Sequence, residues 1–168
     1  EGELDALKGS LSKDTSVDYL VSRGEYFTAK IMAEFLGYPF VDAAECVYFR
    51  YDGQIDWERT DTAIREKLKG HGQIVLPGFY GSLPSGRCKV MTRGGSDITG
   101  ALAAAAVDAA VYENWTDVSG ILMADPKIVP DPKPIQRITY AELRELAFMG
   151  ASVLHEASVL PVKEKGIP

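Results

Sequence analysis

Five consecutive residues, Arg93, Gly94, Gly95, Ser96 and Asp97, hold most of what the recognition of a small anion requires. Arginine supplies a planar, permanently charged fork of donors that matches a carboxylate or a phosphate. The two glycines carry no side chain to hold a ligand off the backbone. An alanine-rich helical pattern follows over 97–110, and the unpaired amides of a helix's first turn carry partial positive charge. A strand, an arginine, a bare turn and a helix N-terminus in that order suit an anion. The same residues also suit an ordinary helix start with Ser96 or Asp97 as its N-cap, and this stretch alone does not separate the two.

Other groups carry similar pairs of readings. Ser22 and Glu25 have the spacing of a capping box, in which Ser22 bonds the third amide and Glu25 reaches back. In the other reading Glu25 faces a cleft and receives a ligand ammonium. Asp117 and Asp125 share one loop, either as solvated turn residues or at the carboxyl end of a parallel strand, where α/β sheets bind ligands. In the second case Lys127 is a phosphate partner. Gly81 and Gly86 have P-loop spacing, but Arg87 and Cys88 replace that motif's phosphate lysine and its Mg²⁺-binding hydroxyl. A strand is expected next, whereas a P-loop opens a helix. His71 and His155 have no carboxylate or cysteine at suggestive spacing.

The elements that must hold these residues alternate between helix and strand. Apolar periodicity predicts helices over 22–36, with Gly37 as the stop, and over 57–68. Short strands are expected at 40–43, 73–76, 89–92, 111–115 and 135–138, with a hairpin over 47–55 around Asp52-Gly53. Thr139 caps a helix reaching Met149, with Glu142 completing its capping box and Gly150 ending it. A last helical stretch covers 153–165, interrupted near Pro161. This alternation predicts one α/β domain with a mostly parallel sheet.

Composition narrows the function. The 168 residues are 46% hydrophobic and 25% charged, an ordinary globular balance. A formal net charge of −6 argues against nucleic acid and anionic membranes as partners. No apolar run reaches membrane-spanning length. Two cysteines, Cys46 and Cys88, provide neither a disulfide framework nor zinc-ligand spacing, so a reducing cytoplasm is the expected location. Glu1 at the start and Ile167-Pro168 at the end read as cuts through a larger protein.

The stretches SRGEYFTAKIMAEFLG, PGFYGS, TRGGSD, WTDVSGILMADPKIV and MGASVLH stand in one order along the chain. In that order and spacing the chain resembles the aspartate kinases of the amino acid kinase family. The resemblance implies a three-layer αβα sandwich of the carbamate kinase-like type, incomplete at its amino-terminal side. It implies ATP-dependent phosphorylation of the side-chain carboxylate of L-aspartate to 4-phospho-L-aspartate, the first step of lysine, threonine and methionine synthesis. ATP and Mg²⁺ would be used, with Mg²⁺ carrying much of the charge neutralisation, and the protein would form a homo-oligomer.

By the same resemblance Glu25 receives the substrate ammonium and Arg93 clamps its α-carboxylate. Gly94, Gly95 and Ser96 line the substrate, Phe79 flanks it, and Asp97 organises the reacting centre. Thr116 and Asp117 meet the nucleotide, Leu122 stands on its adenine side, Lys127 on its phosphate side, and Ser152 and Val153 complete that pocket. Three departures stand out. Ser152 and Glu156 replace a lysine and a proline common in the family, and Leu122 replaces an aromatic. The family's amino-terminal Lys-Gly-Gly phosphate motif and its carboxy-terminal ACT domains are absent from these residues, so the piece by itself is expected to be inactive and to self-associate through an open strand edge. The alternatives are another member of the family, an acetylglutamate, glutamate or uridylate kinase, and a binding module without chemistry.

Overall fold

The computed structural model describes residues 2–115, 120–125, 127–148 and 156–168. Helix α1 spans Gly2–Ser10 and α2 spans Val17–Leu36. Ser16 caps α2 by accepting from the Tyr19 N–H at 3.2 Å, and Gly37, at φ 70°, stops it in the left-handed conformation that suits glycine. The helix therefore starts at Val17 rather than at 22. Ser22 lies inside it and is no cap: its hydroxyl donates to the Tyr19 carbonyl at 2.7 Å.

The Asp52-Gly53 turn is as expected. Gly53 takes φ 83°, the Arg50 N–H donates to the Gln54 carbonyl at 2.7 Å, and Phe49 bridges Ile55 antiparallel. Helix α3 (Trp57–Leu68) follows, with Asp56 as N-cap. Ladders are short. Phe40 bridges Val75 and Tyr48 bridges Ser82, both parallel. Strands β1 (Tyr80–Ser82) and β2 (Cys88–Val90) pair antiparallel, Tyr80 opposite Val90. The Gly81–Gly86 spacing thus belongs to a hairpin that closes with the Leu83 N–H on the Arg87 carbonyl at 2.9 Å. A strand follows it, as the departures from the P-loop motif require.

Four expected strands are corrected, those at 40–43 and 73–76 being reduced to the single bridge of Phe40 with Val75. The segment 111–115 joins no ladder among the described residues, and the Tyr112 N–H donates to the Pro168 carbonyl instead, at 2.9 Å. Near 135–138 the pairing among the described residues is the bridge of Leu122 with Pro134, with the Ile135 N–H on the Ile121 carbonyl and the Met123 N–H on the Lys133 carbonyl. Pro130, Pro132 and Pro134 lack the N–H groups that a longer ladder needs.

Helix α4 spans Gly95–Ala106, earlier at both ends than the expected 97–110. Its alanines follow from burial on two sides. Ile98, Leu102 and Ala106 join Val47, Phe49, Ile64 and Tyr80 in the main core, while Ala101 and Ala104 meet Val162 and Ile167. Small side chains let both neighbours approach at interior packing density. Helix α5 (Tyr140–Phe148) opens on the expected capping box: the Thr139 N–H donates to Glu142 Oε2 at 2.8 Å, and the Glu142 N–H to Thr139 Oγ1 at 3.2 Å. Its expected end at Met149 and Gly150 lies outside the described residues. Pro161 sits within α6 (Glu156–Lys165) without ending it, because the adjacent Val162 is buried against α4. Among the described residues no helix is long and apolar enough to cross a membrane.

Candidate functional site

The first turn of α4 is the centre of the site. Arg93 is exposed where the chain leaves β2, and Gly94, at φ 65°, is the N-cap, with no side chain to bond the helix amides. This corrects the expectation of Ser96 or Asp97 as cap: both already lie in the helix, because only glycine enters the left-handed region at Gly94 without strain. The first backbone bond inside the turn runs from the Ile98 N–H to the Gly94 carbonyl at 2.9 Å. Among the described residues, the amides of Gly95, Ser96 and Asp97 have no backbone partner, so they present donors beside the Arg93 guanidinium.

The segment carrying Phe79 seats against this turn. Gly78 is buried, and a methyl group there would lie 2.8 Å from Ser96 Cα. Phe79 takes φ 59°, a left-handed conformation that costs a bulky residue about 1–2 kcal/mol. Its backbone is fixed on both sides. The Phe79 N–H donates to Thr99 Oγ1 at 3.1 Å, the Thr99 hydroxyl donates to the Gly95 carbonyl at 2.9 Å, and the Met91 N–H donates to the Phe79 carbonyl at 2.7 Å. The half-buried Phe79 ring meets Tyr80 edge to face at 6.1 Å. Phe79 therefore packs directly on the first turn of α4, next to Gly94, Gly95 and Ser96.

Glu25 stands on α2, half-buried, and its carboxylate makes no hydrogen bond among the described residues. Its capping reading is gone, because Ser16 caps the helix. Helix α2 is joined to β2, the strand that leads to Arg93: the Val90 N–H donates to Asp18 Oδ2 at 3.3 Å, and Cys88 Sγ lies 3.4 Å from Ser22 Oγ. Arg23 fastens the same junction. Its guanidinium lies 4.6 Å from the Tyr19 ring centre, 4.4 Å from that of Tyr26 and 5.5 Å from that of the fully buried Tyr80. Burial raises the Tyr80 phenol far above its ordinary range, helped by its hydrogen bond to Asp42. Burial likewise raises the Cys88 thiol.

Asp97 is half-buried and held by residues that sequence reasoning missed. Tyr112 Oη donates to its backbone carbonyl at 3.1 Å, and Asn114 Nδ2 donates to its Oδ1 at 3.2 Å. The Tyr112 phenol is raised by burial and then by the Asp97 charge. Thr99 could have been noticed as the lone hydroxyl in an apolar helix run, whereas nothing in the sequence singles out Asn114.

The residues expected on a nucleotide side are described only in part. Thr116, Asp117, Ser152 and Val153 lie outside the described residues. Leu122 is half-buried at its bridge to Pro134. Lys127 is exposed, and its N–H donates to Asp125 Oδ1 at 2.8 Å, so Asp125 is the turn residue of its first reading. No hydrogen bond or ion pair among the described residues joins Lys127 to the turn at 93–97. His71 is exposed, and His155 lies outside the described residues.

Comparison with known proteins gives the family and the fold. The family model described as the amino acid kinase family matches residues 2–168. Aspartokinase 1 of Bacillus subtilis is 32% identical over 178 residues, covering 98% of this chain and 44% of that protein. The crystal structure of Clostridium acetobutylicum aspartate kinase superposes with a TM-score of 0.92 at 49% identity, over 99% of this chain and 38% of that one. Escherichia coli aspartokinase III, solved in complex with aspartate and ADP, superposes with a TM-score of 0.84 at 31% identity, over 99% of this chain and 40% of that one. The fold is thus the α/β fold of these kinases, and the chain spans less than half the length of each.

Proposed function

This chain belongs to the amino acid kinase family, and on that premise we propose that the protein phosphorylates the side-chain carboxylate of L-aspartate with ATP. A carboxylate oxygen attacks the γ-phosphorus, the bond from that phosphorus to the β–γ bridging oxygen breaks, and ADP and 4-phospho-L-aspartate leave. No proton need move. The two reactants are both anions, so the protein's part is positioning and charge neutralisation.

The observation that carries this reading is the seating of Gly78-Phe79 on the amino end of α4 beside Arg93. Arg93 and the amides of Gly95 and Ser96 hold the α-carboxylate, Glu25 receives the ammonium, Phe79 closes one side and Asp97 organises the reacting centre. Leu122 and Lys127, with Thr116, Asp117, Ser152 and Val153, serve the nucleotide. An exposed lysine and a half-buried leucine suit a phosphate and an adenine. Mg²⁺ bound with the nucleotide would neutralise phosphate charge. Among the described residues no three His, Cys, Asp or Glu side chains cluster to hold a metal, so no protein ligand is assigned to it. Two free thiols suit a reducing cytoplasm, and exposed apolar residues such as Phe35 on α2 support self-association, which sedimentation would test.

The deciding assay supplies the intact protein with Mg²⁺-ATP and one acceptor at a time, then traps any acyl phosphate with hydroxylamine. Hydroxamate from L-aspartate, and little from glutamate or N-acetylglutamate, upholds the proposal. Transfer to UMP, or binding of aspartate without transfer, overturns it.

A further inference from the structure

Asp97 is held by two side chains from one short segment. Tyr112 and Asn114 stand two residues apart, the spacing at which an extended chain presents side chains to the same side. Tyr112 docks first. Its hydroxyl donates to the Asp97 carbonyl at 3.1 Å, and it lies so near α4 that a methyl group on Gly100 would come within 2.7 Å of Tyr112 Oη. The Tyr112 N–H is fixed in turn by the Pro168 carbonyl at 2.9 Å. This brings the Asn114 amide to 3.2 Å from Asp97 Oδ1, while Asn114 itself stays exposed.

We propose that Asn114 is a positioning residue for Asp97: its amide holds Oδ1, fixes the carboxylate in one rotamer and leaves Oδ2 to act at the reacting centre. This rests on the reading of Asp97 as that centre's organiser. A carboxylate at the start of a helix otherwise turns among staggered rotamers, and a reacting group gains rate when it is held in the productive one. Among the described residues the exposed Asn114 amide bonds Asp97 and no other side chain, so its effect passes through Asp97.

The test compares Asn114→Ala and Asn114→Gln with the unaltered intact protein. Four quantities are read: kcat, KM for L-aspartate, Tm, and the χ1 couplings of Asp97 by NMR. Asn114→Ala should lower kcat about tenfold with KM and Tm nearly unchanged, average the Asp97 couplings, and be partly rescued in Asn114→Gln, which keeps the amide donor. An unchanged kcat overturns the inference, as does an equal fall when Asp97 is already replaced by Asn. Should the unaltered protein not phosphorylate aspartate, the functional reading fails alone and the couplings decide: a single rotamer lost in Asn114→Ala upholds the positioning role, and an unchanged rotamer overturns it.

Discussion

Gly95 and Phe79 are in such close contact that a methyl group on Gly95 would lie 2.6 Å from Phe79 Cβ, and 2.8 Å from Met91 Cβ. The first residue of α4 and the strained residue before β1 therefore pack with no room for a side chain between them. Gly95→Ala must push apart the two walls of the site. Overpacking of this kind costs about 1–3 kcal/mol. Urea unfolding should show that loss, and aspartate binding should weaken with it. A Gly95→Ala protein of unaltered stability would contradict the packing described here.

Arg93→Lys keeps a positive charge but loses the planar fork that pairs with both oxygens of a carboxylate. Arg93 is exposed, so the fold should not change. Affinity for L-aspartate should fall by about 1.5–3 kcal/mol, the scale of a charge-assisted hydrogen bond. Calorimetric titration of the intact protein with L-aspartate measures this directly, and equal affinities would remove Arg93 from the site.

Glu25→Gln separates charge from shape. With Ser16 capping α2, Glu25 has no helix-capping task to lose. The substitution should leave Tm nearly unchanged and raise KM for aspartate roughly 10–100-fold, because an ammonium loses its ionic partner. Full activity in Glu25→Gln would return Glu25 to the helix surface.

Features with local causes were legible in the sequence. Helix α3, the Asp52-Gly53 turn and the Thr139–Glu142 capping box each depend on residues within one or two turns of one another. No periodicity reports that Gly78 packs against Ser96, because the contact joins residues distant in the chain; only the family resemblance places PGFYGS and TRGGSD around one ligand. Errors arose where tertiary contacts outweighed local signals. Ser22 and Glu25 mimic a capping box, yet Ser22 bonds back to Tyr19 within a helix that starts earlier. The residues 111–115 read as a strand between helical stretches, but Tyr112 uses its hydroxyl on Asp97 and its N–H on Pro168. Pro161 signals a break that packing of Val162 against α4 overrides.

The last prediction concerns the end of α4 opposite the site. Asp108, at φ 49°, turns the chain just past the helix and accepts from Lys165 at 2.7 Å and from Arg65 at 3.2 Å, so it ties α6 and α3 together. The Lys165 ammonium, followed by the Arg65 guanidinium, holds its carboxyl below the usual aspartate range. A carboxylate depressed in the folded state contributes stability that is present above the unfolded-state pKa and lost as pH falls through the folded value. Asp108→Asn should therefore lower Tm at neutral pH and make no difference at strongly acid pH, where both proteins lack the charge. Asparagine tolerates the left-handed conformation as well as aspartate does, so strain is not the cause of any change. Added salt should also shrink the gap at neutral pH, because the groups are exposed. Melting curves of both proteins across the acid range, at low and high salt, check all three statements. A Tm gap that persists unchanged at low pH would show that Asp108 acts through its backbone turn and not through its charge.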